Sequence, residues 1–209
     1  MPAWTRVLAG TGPLWLRKEV DVMAQPTYQW QPPERGWREQ DLFDLPENGN
    51  RYEIIDGSLH VTPPAGPEHH ELADEIRMAL RQAAPTDWRV IREIGVRVPG
   101  GNLIPDLTVL RPSAPRERMW AEPVDIALVG EVESTGSRRH DRFTKPALYA
   151  EAGIPHYWRV ERGDFGPVVY RYRLGKGDHY ELLGTIGPDD AVTVDEPWTM
   201  RLDPSAWPR

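Results

Sequence analysis

The sequence predicts a mixed α/β fold, a central β-sheet flanked by a small number of helices. Three observations carry that expectation. Strand-like runs outnumber helical ones along the chain. Asp56-Gly57, set between YEIID and SLHVT, marks a β-hairpin, because that pair tolerates the positive φ angles a tight two-residue turn requires. A strand–helix–strand succession over 126–160 implies at least one parallel pair, since a crossover of that kind returns the chain in its original direction.

The elements follow in order. Residues 1–22 show no clean periodicity. Their apolar stretch VLAGTGPLWL is broken by Gly and Pro and followed by Arg17, Lys18 and Glu19 where a signal-peptide cleavage site would need small residues. We read them as an extension outside the core, with Met23 an equally ordinary start. Residues 23–36, rich in Pro and Gln, read as linker, so 1–36 stand outside a domain spanning 37–205. A short helix is expected over Trp37–Leu45, then the hairpin 52–62. Pro67–Ala84 is the best helix. Gly66 serves as its N-cap, Pro67 suits the first position, and Leu72, Ile76, Ala79, Leu80 and Ala83 form one apolar stripe. His69, three residues before Leu72, extends the inward face, whereas His70 joins Asp74, Arg77 and Arg81 on the polar one. Strands are expected at Trp88–Glu93, Gly95–Val98 and Leu103–Leu110, then a polar loop over 111–124 and a strongly apolar strand Ile126–Glu133. A helix over Asp141–Ala152 contains Pro146, so it begins near Lys145 or is kinked there. Strands at His156–Val160, Val168–Leu174 and His179–Ile186 precede an irregular tail.

Composition narrows the function. The 209 residues contain no Cys, which removes disulfides, thiolate catalysis and zinc–thiolate sites and suits a cytoplasmic protein. No stretch approaches the ~20 consecutive apolar residues of a membrane helix. The net charge is −7, so no strong basic field advertises nucleic-acid binding, and such contact requires a local patch or a bound cation. With Arg so dominant, the three lysines (Lys18, Lys145 and Lys176) draw notice.

Three residues define a chemical candidate. Asp106 follows Pro105 at the entrance of an apolar strand; a turn-forming Asp would look the same. Glu131 lies inside the near-continuous apolar run IALVGEV, the pattern of a strand buried on both faces. A carboxylate there requires a partner, a proton or a metal, and pairing with an Arg is the plain structural alternative. Glu133 shares its face by period two. Lys145, in RRHDRFTK, reads alone as part of a solvated charged face. Together, Asp106 and Glu131 on neighbouring strands could hold a hard divalent cation, with the Val132 carbonyl as a further oxygen ligand. Such a cation polarises a phosphoryl oxygen, and a nearby ammonium orients water and stabilises developing negative charge.

The segments YEIIDG (52–57), TPPAGPEHHELA (62–73), IPDLTVL (104–110), LVGEVES (128–134) and DRFTKPALYAEAGIPHYWRV (141–160) together resemble the Uma2 family of restriction endonucleases, a branch of the PD-(D/E)XK nuclease superfamily. The resemblance covers roughly 40–205. It implies a restriction-endonuclease-like fold and Mg²⁺- or Mn²⁺-dependent hydrolysis of nucleic acid, DNA above all. Asp106 matches the PD aspartate and Glu131 the acidic residue of the (D/E)XK element. The superfamily lysine would fall two residues after Glu131, where Glu133 stands, which points to Lys145 on the following helix. Glu53 and His69 fall in the upstream motifs as a further metal ligand or phosphate contact, with Arg51 pairing and a half-buried helix histidine as their structural alternatives. Arg138, Arg139 and Arg142 lie beside the site in sequence and could neutralise phosphates, or could form an exposed loop. Cutting both strands of a duplex needs two sites, hence a homodimer. The rival expectation is a non-catalytic binding or scaffold protein on the same fold, its site unused or decayed, which the net acidity and Glu133 favour.

Overall fold

The computed structural model describes residues 31–208, so most of the N-terminal extension and linker expected at 1–36 lies outside the described residues. The hairpin forms as expected: β1 (Arg51–Ile55) and β2 (Ser58–Thr62) pair antiparallel, and Asp56 and Gly57 take φ of 48° and 72°. Both values lie in the left-handed region that the turn demands. The long helix α1 spans Pro67–Ala83 from Gly66 as N-cap, and buries His69, Leu72, Ala73, Ile76 and Leu80. Full burial of a Leu or Ile side chain stabilises by about 1.5–3 kcal/mol, and three such residues at four-residue steps fix which face turns inward.

The strand expected over Leu103–Leu110 divides in two. It yields β5 (Gly101–Leu103) and β6 (Leu107–Leu110), which belong to different sheets. Pro105 is the physical cause, since it has no N–H to donate to a ladder and restricts the residue before it. Asp106 therefore sits at the break, immediately ahead of β6. Strand β4 (Gly95–Val98) matches expectation, whereas β3 (Arg89–Ile91) covers only the middle of the expected Trp88–Glu93, with Glu93 at a positive φ of 53° beyond its end. The polar loop after 110 contains a two-residue strand, β7 (Trp120–Ala121), paired parallel with β4. One five-stranded sheet runs β2-β1-β5-β4-β7. Gly101 is required there, because a Cβ would lie 1.9 Å from the Ile54 carbonyl oxygen on β1.

The second sheet has six strands. Strand β8 (Ile126–Val132) is buried at all seven positions. It pairs antiparallel with β6 and parallel with β9 (His156–Gly163), confirming the crossover. Strands β10 (Gly166–Leu174) and β11 (Tyr180–Ile186) extend the order β11-β10-β9-β8-β6-β3. The tail is less irregular than expected, with a hairpin of β12 (Val192–Val194) and β13 (Met200–Leu202). One core cluster joins α1 through Leu72, Ile76 and Leu80 to Leu128 and Val132 of β8. The other joins Val129 of β8 to Leu148 and Tyr149 of the second helix.

One helical expectation is corrected and the other is resolved in favour of a start at Lys145. Instead of an α-helix over Trp37–Leu45, the chain makes a 3₁₀-helix over Glu39–Asp44 that buries no residue, so no apolar face anchors a longer helix. The segment Asp141–Ala152 opens as a π-turn, His140–Thr144, and becomes α2 only at Lys145–Glu151. Pro146 lacks the N–H an α-helix would need there, and the preceding Lys145 N–H bonds five residues back to the His140 carbonyl.

Candidate active site

Four separate pieces of chain deliver charged side chains to one groove of about 1410 Å³. Strand β1 contributes Arg51 and Glu53, two apart and so on one face. Helix α1 contributes His69 from its first turn. The β6 entrance contributes Asp106, and β8 with the helix after it contributes Glu131, Asp141 and Lys145. Leu107 pairs with Gly130, so the antiparallel register sets Asp106 opposite Glu131.

Lys145 is the hub. Its Nζ lies 3.1 Å from Glu131 Oε1, 3.3 Å from Glu53 Oε1 and 3.7 Å from Asp141 Oδ1, with only 4% of the residue exposed. Burial disfavours its charge, but the carboxylates around it outweigh that and raise its pKa. Tyr149, one helical turn on, donates from its hydroxyl to Glu131 Oε1 at 2.8 Å. Glu53 is further fixed by the Ile104 N–H at 2.8 Å. It does not pair with Arg51, which instead reaches Asp106 Oδ1 and Glu93 Oε1, each at 2.9 Å.

Asp106 is nearly sealed. Its Oδ2 accepts from the Val132 N–H at 2.8 Å, and His69 Nε2 stands 3.2 Å from Oδ1. Burial alone would raise its pKa, but His69 and the Arg51 guanidinium outweigh it and hold the carboxyl well below the usual range. Glu131 goes the other way. Burial, reinforced by Asp141, Asp106 and Glu53, overcomes Lys145 and pushes its carboxyl up to about 8. Burial likewise lifts Asp141 to about 6.

These shifts have a common origin. Four buried carboxylates (Glu53, Asp106, Glu131 and Asp141) face two fixed cations, Arg51 and Lys145, a surplus of two negative charges when all are ionised. Asp106 Oδ1, Asp141 Oδ1 and both His69 ring nitrogens, though buried, make no aligned hydrogen bond. Among the described residues no three His, Asp or Glu side chains form a ready-made metal cage. A Mg²⁺-type ion does not need one, since it keeps several waters and takes one or two carboxylates. A surplus of two charges, beside carboxylate oxygens of Asp106 and Asp141 that make no aligned hydrogen bond, fits a single divalent cation, which Asp106 and Glu131 would hold.

The remaining sequence candidates sit differently. Val132 lines the groove beside Asp106. Glu133 also lines it but is saturated: Arg138 Nε at 2.6 Å, Arg142 Nε at 2.8 Å and Arg159 Nη1 at 2.9 Å all donate to it. Arg138 and Arg142 are therefore held by Glu133 rather than standing free for phosphate, while Arg139 is exposed. Sequence reasoning missed Arg51, Asp141 and Tyr149. A signal existed for two of them, because Asp141, Lys145 and Tyr149 recur at four-residue steps, a polar stripe on the helix face that turns inward.

The mixed sheet, its parallel β8–β9 crossover and the acidic centre where β6 begins and β8 ends define a restriction-endonuclease-like α/β protein. A family model described as "Uma2: Putative restriction endonuclease" matches residues 39–203, and the chain belongs to that family. The crystal structure of a "putative nuclease belonging to DUF820" from Anabaena variabilis ATCC 29413 is similar over 74% of this chain and 87% of that one, with a TM-score of 0.58 and 18% identity. At that identity the likeness is one of fold. No curated protein matches the chain.

Proposed function

We propose that this protein is a divalent-metal-dependent endonuclease that hydrolyses the phosphodiester backbone of nucleic acid, with DNA as the substrate, Mg²⁺ or Mn²⁺ as the cofactor and the cytoplasm as its place of action. The observation that carries the reading is the buried lysine–carboxylate cluster opening on a groove, with Lys145 Nζ 3.1 Å from Glu131 and Asp106 across the register. Asp106 and Glu131 hold the ion, and the Val132 carbonyl offers a third oxygen. Bound there, the ion supplies the charge that polarises a phosphoryl oxygen and acidifies water. Lys145 stays protonated, orients the attacking water and stabilises charge developing on phosphorus. Glu53 and Tyr149 hold Lys145 and Glu131 in place, and His69 steadies Asp106. Cleavage of both strands of a duplex calls for a second site, supplied by a homodimer.

The non-catalytic reading keeps one observation in its favour: Lys145 is shared among three carboxylates, as in a purely structural ion cluster. Plasmid nicking separates the two. Nicking that requires Mg²⁺ or Mn²⁺, stops with chelator and is absent from the Asp106→Ala, Glu131→Ala double variant is the expected result. Intact plasmid at millimolar metal, or equal nicking by the double variant, overturns the proposal.

A further inference from the structure

A nucleic-acid groove ordinarily offers free Lys and Arg side chains to phosphates. This one does not. Among the described residues four fixed cations line it, and each is already committed to a carboxylate of the same groove: Arg51 to Asp106 and Glu93, Lys145 to Glu131, Arg138 to Glu133 at 2.6 Å and Arg162 to Glu68 at 2.7 Å. Eight carboxylate side chains line the groove; Arg142 and Arg159 behind the wall share Glu133 and Glu161, but the inner four, Glu53, Asp106, Glu131 and Asp141, face only Arg51 and Lys145, so the surplus at the floor is negative. Nor does the groove offer stacking surfaces for bases. Although the chain has nine Trp, seven Tyr and three Phe, among the described residues the aromatic rings on the groove wall are those of His60, His69, His70 and His140 alone. Base stacking on aromatic platforms is therefore not how this surface grips a strand.

We infer that the groove recognises the phosphate backbone through a divalent cation seated on its surplus carboxylates rather than through its own arginines, so that nucleic-acid binding, and not only cleavage, depends on the metal. The inference rests on the nuclease reading above and adds how that site takes its substrate. The buried oxygens Asp106 Oδ1 and Asp141 Oδ1 belong to residues on the groove wall and make no aligned hydrogen bond, only ion-pair contacts with Arg51 and Lys145 that other carboxylates share, and they mark where further positive charge belongs. Without it, a polyanion meets an acidic surface whose cations are occupied. With it, the sign at the floor of the groove inverts. Binding of metal and of nucleic acid is then positively coupled, and the coupling is reciprocal. Recognition through phosphates alone is indifferent to base sequence.

The test reads binding, not turnover. Fluorescence anisotropy of a labelled duplex and a labelled single strand is measured with the full chain at constant ionic strength, in chelator and in Ca²⁺, with the probe checked for integrity afterwards. The expected result is at least about a tenfold gain in affinity with Ca²⁺, within the usual range of site-to-site coupling, and little difference between unrelated base sequences. Asp106→Asn adds an arm of opposite sign for the two modes. Neutralising a groove carboxylate strengthens binding if arginines hold the phosphates, and abolishes the Ca²⁺ gain if a cation does. Equal binding in chelator and Ca²⁺ overturns the inference while leaving the nuclease reading intact. No binding of either probe under any condition overturns both.

Discussion

Glu131 and Glu133 stand two residues apart at the end of one strand, line the same groove and are nearly equally buried, at 1% and 6% exposed. Yet they are opposite objects. Glu131 shares one ammonium with Glu53 and Asp141, and burial pushes its carboxyl up to about 8. For Glu133, burial acts in the same direction, but hydrogen bonds from Arg142, Arg138 and Arg159 outweigh it and hold the carboxyl below its ordinary value. Burial sets the cost of a carboxylate charge, and the supply of cations decides whether that cost is met. A starved carboxylate beside a groove takes up a proton or a metal. A saturated one is a strut. Here the strut ties β8 and β9 to the π-turn that carries Asp141 and delivers Lys145, and the Tyr157 hydroxyl pins the same turn by donating to the Asp141 carbonyl at 2.6 Å.

The largest effect that this contrast predicts belongs to Lys145, the one cation that the inner cluster cannot replace from a neighbour. Lys145→Ala is expected to lower nicking about 10²–10³-fold, the scale of losing one preorganised charge donor at a reacting centre. Lys145→Arg should recover little, because a planar fork does not occupy the place of a compact ammonium. Nicking at matched Mn²⁺, with circular dichroism as fold control, checks both. Wild-type cleavage by Lys145→Ala would remove Lys145 from the chemistry, and wild-type cleavage by Lys145→Arg would show that charge alone suffices.

Much of this site was legible before any coordinates. A carboxylate in an unbroken apolar run announces itself, because it must have been compensated; this located Glu131. The Asp-Gly turn and the crossover fixed the hairpin and the parallel β8–β9 pair, since both follow from local backbone constraints. What could not be read was the supply of cations. Glu133 carries the same local signal as Glu131, and only the fold shows that Arg138 and Arg142 turn back to it while Arg159 arrives from the next strand. Arg51 was hidden for the same reason, as its partner Asp106 lies far along the chain. The break of 103–110 into two strands was signalled by Pro105, whose missing N–H outweighs the β-propensity around it.

The second effect tests the strut directly. Glu133→Ala takes one carboxylate from Arg159, 8% exposed, which keeps Glu161 and the Tyr172 hydroxyl, so the cost falls below the about 3–5 kcal/mol of leaving a buried charge with no partner. Arg138, with 62% of its side chain exposed, adds little to that sum. Urea unfolding should therefore show a clear drop for Glu133→Ala, while calorimetric titration shows Mg²⁺ affinity unchanged. Glu131→Ala should do the reverse, abolishing metal binding with little loss of stability. If Glu133→Ala loses metal affinity as well, Glu133 is a ligand and the division between the two glutamates fails.

The smallest effect, and the most specific, is the dependence of stability on pH in the metal-free protein. Glu131 titrates near 8 when folded against an ordinary value of 4.5, so the folded state binds the extra proton between those limits. Its contribution to stability is complete below pH 4.5 and is lost as pH rises through about 8. Asp141, lifted from 3.8 to about 6, acts in the same direction over a lower window. Glu133 has the opposite sign. Its folded carboxyl lies below 4.5, so its contribution is present above pH 4.5 and lost as pH falls through the folded value. Burial also lowers the pKa of His60 and His156, which adds a background rise of stability with pH, but that background is common to wild type and variants and cancels in the difference. Thermal unfolding in chelator across pH 3–9 is therefore compared between wild type, Glu131→Gln and Glu133→Gln. Relative to wild type, Glu131→Gln should gain stability progressively from about pH 5 to 8, because it no longer pays to bury a charge. Glu133→Gln should lose stability near neutrality and converge on wild type in acid. Difference curves of the same sign would show that the two glutamates share one environment after all.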